Sequence, residues 1–205
     1  MALQYSISCQ AALAVGLFLS PAARGQVAPL DPDWPCAQSL VPTLTAGSYW
    51  DGKVPEHNSW RDDEKMFPLV TDIVDRDTPD ADGLAKLNAY VDTIAADQRK
   101  TVLPLLFSAI VDQTNDERTL LIQRIKQLGL RQRRMGDVVA KISTQVDETP
   151  ATDPHRNDLA GERDFDIRAF QETQHTMRYA CEAPVALERR LGLYARDLQK
   201  RMSSK

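Results

Sequence analysis

Three side chains on one polar stretch have the types and spacing to bind an anion: Arg124, Arg131 and Gln132. A guanidinium is a planar fork of N–H donors that matches a carboxylate or a phosphate, and a neighbouring amide adds one donor group and one acceptor. On a helix the two arginines, seven residues apart, fall on one flank with Gln132 beside them. One reading makes them a ligand-binding site for an anionic molecule or an acidic partner protein. The other makes Gln132 a register-setting polar residue and pairs the arginines with acids on a neighbouring helix, such as Glu162, Asp166 or Glu172. Arg118 lies one step upstream on the same seam, while Arg133 and Arg134 point further round.

No catalytic residue can be assigned. His57, His155 and His175 are far apart and none has metal-ligand spacing, so no metal site is expected. Asp80-Ala81-Asp82-Gly83 resembles part of a calcium loop, but the register fails. With Gly83 as the turn glycine, the first and twelfth positions are Thr78 and Ala89, where such a loop needs Asp and Glu. Acids complementing a helix N-terminus explain these residues better. The chain has no nucleotide loop and no Gly-x-Ser-x-Gly elbow, and no cofactor is expected.

The cysteines depend on where the folded chain starts. Ala11 to Ser20 is a short run of small and apolar residues followed by Pro21, which is the layout of a signal peptide over residues 1–25. Cleavage is expected after Gly25, with Ala22 as the alternative. The run is about half the roughly 20 apolar residues that span a bilayer, so no membrane span is expected. Removal of Cys9 leaves Cys36 and Cys181, which an oxidising compartment would join in a disulfide; two unpaired thiols are the alternative.

The elements that carry these residues read as helices. Of 205 residues only 9 are glycine, and no alternating run of useful length suggests a sheet. A net charge of −4 argues against a nucleic-acid binder. Residues 26–66 form an irregular arm rich in Pro, Asp and Trp. Trp34, Trp50 and Trp60 are expected to pack it on the body, with a ligand groove as the other use for such aromatics.

Residues 67–205 follow as a helical bundle, in one domain with the arm. A first helix opens near Phe67. A second is capped by Thr78 with Pro79 in its first turn, and carries Leu84, Leu87, Val91 and Ile94 as a stripe. A third is expected over Val102 to Asp112. Thr114-Asn115-Asp116-Glu117 then reads as a capping box opening a helix of about 33 residues, roughly 50 Å long. Leu121, Ile125, Leu128, Gln132, Met135, Val139, Ile142 and Val146 form its heptad seam. Gly129 and Gly136 flank that seam and suggest close approach of a neighbouring helix. Asp153-Pro154 opens a helix to about Cys181, Pro184 breaks it, and a last helix carries Leu187, Leu191, Tyr194 and Leu198.

The segment Asp31-Pro32-Asp33-Trp34-Pro35-Cys36 behind a signal peptide, with a long Arg-rich helix downstream, resembles a group of secreted helical proteins of Gram-negative bacteria. The resemblance implies a periplasmic location and carries no activity. The expectation is an all-α, single-domain, noncatalytic periplasmic accessory or binding protein. It could engage a periplasmic protein partner or self-associate through the seam. A small helical-bundle enzyme using the Arg cluster on an anionic substrate is the alternative.

Overall fold

The computed structural model describes residues 31–55 and 59–203. The signal peptide expected at 1–25, Cys9 and His57 lie outside the described residues. The described chain is all-helical, with α1 at Met66–Val74, α2 at Asp80–Asp92, α3 at Arg99–Glu148 and α4 at Arg156–Ser203. Short 3-10 turns at Ala46–Ser48 and Trp60–Asp62 interrupt the arm, and no strand occurs among the described residues.

α3 and α4 dominate. With 50 and 48 residues they extend for about 70–75 Å each at 1.5 Å per residue, packed antiparallel and joined by residues 149–155. Arg118 meets Glu188 and Gly136 meets Phe170, which sets the register of the hairpin. The heptad seam faces α4: Leu121, Ile125, Ile142 and Val146 are buried, and Leu128, Gln132, Met135 and Val139 are half-buried. The partner that a heptad requires is thus supplied within the chain.

Two expected helix ends do not exist. The helix expected over Val102 to Asp112 and the seam helix are one, because Thr114 does not cap. Its hydroxyl donates to the Ile110 carbonyl at 2.7 Å, inside an unbroken helix. The neighbouring polar residues serve tertiary contacts: Asn115 exchanges hydrogen bonds with both backbone groups of Leu44, and Asp112 and Asp116 bind Arg61. Pro184 does not break α4 either. It is buried inside the helix, removing one backbone donor, while the Gln38 amide donates to the adjacent Cys181 carbonyl.

At the end away from the connecting loop, α1 and α2 pack on the hairpin and form the main core. Leu103, Leu106, Phe107 and Ile110 of α3 meet Leu191, Tyr194 and Leu198 of α4, with Ile73, Leu87 and Val91 between them. Each such fully buried aliphatic side chain contributes about 2 kcal/mol. Trp50 stacks on Phe107 at 4.8 Å between ring centroids, and Trp60 is fully buried with its indole N–H on Asp112 at 2.9 Å. Burial pushes the Asp112 carboxyl up, but the bonds from Trp60 and Arg61 outweigh it and hold the group below its ordinary value.

One buried arginine organises the join between α1 and α2. Arg190 donates from Nη1 to the Asp75 carbonyl at 2.6 Å, from Nη2 to the Thr78 carbonyl at 2.6 Å, and from Nε to Asp80 at 2.8 Å. It thereby places a cation at the C-terminus of α1, where carbonyls lack helical partners. Thr78 turns back to the Asp72 carbonyl instead of capping α2, which begins at Asp80 behind an extended Pro79. Asp80 and Asp82 stand in its first turn, as expected of acids at a helix N-terminus.

Candidate functional site

The arm lies along the hairpin as a third layer and runs antiparallel to α3. Asp33 binds Arg133 at 2.6 Å, Val41 meets Arg118, and Leu44 is held by Asn115, so rising arm numbers match falling numbers on α3. The arm turns at its start: Asp31 accepts from the Asp33 amide at 2.9 Å and from Lys126 at 2.6 Å. Those bonds, that of Lys126 foremost, hold the Asp31 carboxyl below the usual range.

Cys36 and Cys181 form a disulfide that ties the arm to α4, with the two Cα atoms 5.7 Å apart. Such bonds persist in oxidising, extracytoplasmic compartments. Gly129 shows why the arm can lie so close. A β-carbon there would stand 3.1 Å from the Pro35 ring, so this glycine admits the arm, while Gly136 faces Phe170 of α4. The close helix approach expected at both glycines is found at neither: the arm meets Gly129, and a β-carbon at Gly136 would lie 3.6 Å from the Phe170 ring, an ordinary contact.

Beside the disulfide, arm and hairpin border an open cleft of about 900 Å³ whose lining includes Gln38, Gln132, Gln174, Met177, Arg178 and Cys181. Amides, a guanidinium and a thioether equip it for hydrogen bonding and apolar contact. The lining holds no nucleophile beside a base.

The three residues singled out from sequence do not share a site. Gln132 lines the cleft, whereas Arg131 borders a separate depression of about 250 Å³ with Arg134, Met135, Val138 and Asp166. Arg124 borders a third, of about 120 Å³, with Asp77 and Glu117. Both arginines are exposed on one flank while Gln132 turns inward, because a single residue step on a helix rotates a side chain by about 100°. The expected pairing of these arginines with Glu162 or Glu172 does not form, and Asp166 only shares the depression of Arg131.

Of the arginines on α3, Arg118 is the one that the fold buries. It is 2% exposed, and its Nη2 donates to Glu188 at 2.5 Å and to the Val41 carbonyl at 3.0 Å. Tyr49 lies near this pair: burial raises its hydroxyl pKa, Glu188 raises it further, and Arg118 opposes both. The signal for Arg118 was its place on the heptad, three residues before Leu121. Gln174 and Arg178 were missed, although their spacing of four, with Cys181 three further on, marks one helix face.

Among the described residues no group of His, Cys, Asp and Glu is arranged to hold a metal ion, and no helix is long and apolar enough to cross a membrane. No family model matches the chain, and neither a curated protein nor a solved structure is significantly similar to it. The class that the fold and site define is an all-helical, disulfide-closed protein with a long antiparallel hairpin.

Proposed function

We propose that this chain is a noncatalytic binding or accessory protein of the periplasm, and that its ligand or partner seats in the cleft beside the disulfide. The observation that carries this reading is the covalent pinning of the arm by Cys36–Cys181, which maintains one wall of a 900 Å³ cleft. Fixing that wall before binding lowers the ordering cost of association. Gln132 and Gln174 from the two long helices and Gln38 from the arm line this cleft, so one occupant can engage all three elements. The enzyme alternative asks Arg124, Arg131 and Gln132 to surround one substrate, and they line three different depressions.

The test is capture from a periplasmic extract by the oxidised protein and by a variant carrying Gln132→Ala and Arg178→Glu. Proteins or metabolites retained by the native chain and lost from the variant support the cleft. Identical capture by both removes it. Recovery of the native chain from the cytoplasmic fraction, with Cys36 and Cys181 open to alkylation, removes the location as well.

A further inference from the structure

The cleft beside the disulfide has dimensions that discriminate between occupants. Its α4 lining runs from Gln174 to Arg189, about 22 Å at 1.5 Å per residue, and residues 35–38 of the arm and Gln132 of α3 complete it. A volume of about 900 Å³ spread over that length has a mean cross-section of about 40 Å². An α-helix with its side chains is about 10–12 Å across and needs roughly twice that section. A polypeptide in extended conformation takes up about 4.8 Å by 10 Å, which matches it. At about 3.3 Å per residue, the cleft holds six or seven such residues.

The chemistry of the lining points the same way. Gln132 and Gln174 enter from the two long helices, and neither carboxamide makes a hydrogen bond among the described residues. A carboxamide carries the donor and acceptor functions of a peptide group, so it can hold the N–H and the C=O of one extended residue together. Gln38 is fastened by its donation to the Cys181 carbonyl, and its own oxygen accepts nothing among the described residues. Arg178 and Arg189 face one opposing charge, that of Glu182, so the lining matches a nearly neutral chain better than a polyanion. None of the lining side chains is aromatic, which leaves a nucleobase or a sugar ring no stacking platform. Met177 and the 46% exposed Val185 supply apolar contacts, and alternate side chains of an extended chain would fall on that one side.

We propose that the cleft binds a linear segment of a partner protein in extended conformation, held chiefly through its backbone by Gln132 and Gln174. The inference rests on the cleft reading above and names its occupant.

Selection of phage-displayed random linear heptapeptides on the oxidised protein, followed by calorimetric titration of the enriched sequences with blocked ends, tests it. Saturable binding is expected. Methylating the backbone nitrogens of alternate residues should weaken it by about tenfold or more in one of the two registers, and Gln132→Leu with Gln174→Leu should do the same. Transferred nuclear Overhauser effects should show the strong Hα-to-next-amide contacts of an extended chain. Failure to enrich any peptide overturns the proposal, as does full affinity in both methylated registers, equal binding to the leucine variant, or amide-to-amide contacts of a bound helix. The methylated peptides use the native chain, so they decide alone if the leucine variant loses its helical circular dichroism. The cleft itself is read by the extract capture: a difference there between native chain and variant, alongside any of these failures, leaves the cleft with an occupant other than an extended peptide.

Discussion

The hydroxyl of Tyr194 stands where a side chain on residue 83 would go: a β-carbon on Gly83 lies 2.0 Å from that oxygen. The same hydroxyl donates to the Ile73 carbonyl at 2.8 Å, so α4 reaches across α2 to the end of α1 through the gap that the glycine leaves. Gly83→Ala should therefore destabilise the chain by about 1–3 kcal/mol through overpacking, despite a helix propensity gain of up to about 1 kcal/mol. In a Tyr194→Phe background the penalty should shrink, because the atom in closest conflict is gone. Urea denaturation of the four proteins measures the coupling, and equal penalties in both backgrounds would refute the contact.

Alkaline titration supplies a second expectation. Burial, opposed by Arg190 and reinforced by Asp80 and Asp72, pushes the Tyr194 hydroxyl up to about 12 from its ordinary 10.0. The folded state thus keeps a proton that the unfolded chain releases. The associated stability is complete below pH 10 and is lost as pH rises from about 10 towards 12, on the order of 2–3 kcal/mol in total. Tyr49 and Tyr90 are also raised, mainly by burial, so the comparison must be with Tyr194→Phe, which retains both. Between pH 9 and 11 the native chain should lose stability more steeply than that variant, and parallel curves would argue against a retained proton.

Reduction of Cys36–Cys181 should be costly. The bond spans 145 residues of sequence, for which the chain-entropy model gives about 5 kcal/mol. Denaturation midpoints with and without reductant, or for native chain and Cys36→Ala, should differ accordingly. A midpoint indifferent to reductant would mean that the hairpin holds the arm without help.

Gly129 makes a sharper test of the arm itself. Its missing β-carbon admits Pro35, so Gly129→Leu should lift residues 31–36 from α3 while helix formation at that position improves. Limited proteolysis should then cut the arm faster with helical circular dichroism unchanged. Cleavage at the native rate would show that Pro35 needs no such space.

The helical architecture is legible because burial on one face imposes a period, and the seam from Leu121 to Val146 keeps that spacing with Gln132 as its one polar member. The chain's punctuation was less informative. Thr114 to Glu117 has the residues of a helix start, yet α3 passes through, since Asn115, Asp112 and Asp116 are used to fasten the arm. Pro184 has the residue type of a helix end, yet it lies buried in α4, where packing overrides the lost hydrogen bond. Both errors have one cause: local sequence reports what a residue prefers in isolation, and contacts with a distant segment decided otherwise. The candidate site was less visible for the same reason. Gln132 lines the cleft, but the other walls come from residues 35–38, nearly a hundred positions away, and from α4 between Gln174 and Arg189. No periodicity within α3 encodes that neighbour.

The sulfur bridge also determines how the molecule carries load. Tension drawn between an attachment before residue 36 and one after residue 181 passes directly from one cysteine to the other. All of α1, α2 and α3, and the first half of α4, lie inside the bypassed ring and feel none of it. Among the described residues only the start of the arm before Cys36 and the last turns of α4, anchored by Leu191, Tyr194 and Leu198, stand in the line of pull, so an oxidised chain pulled between residues 31 and 203 should extend by little more than those two segments.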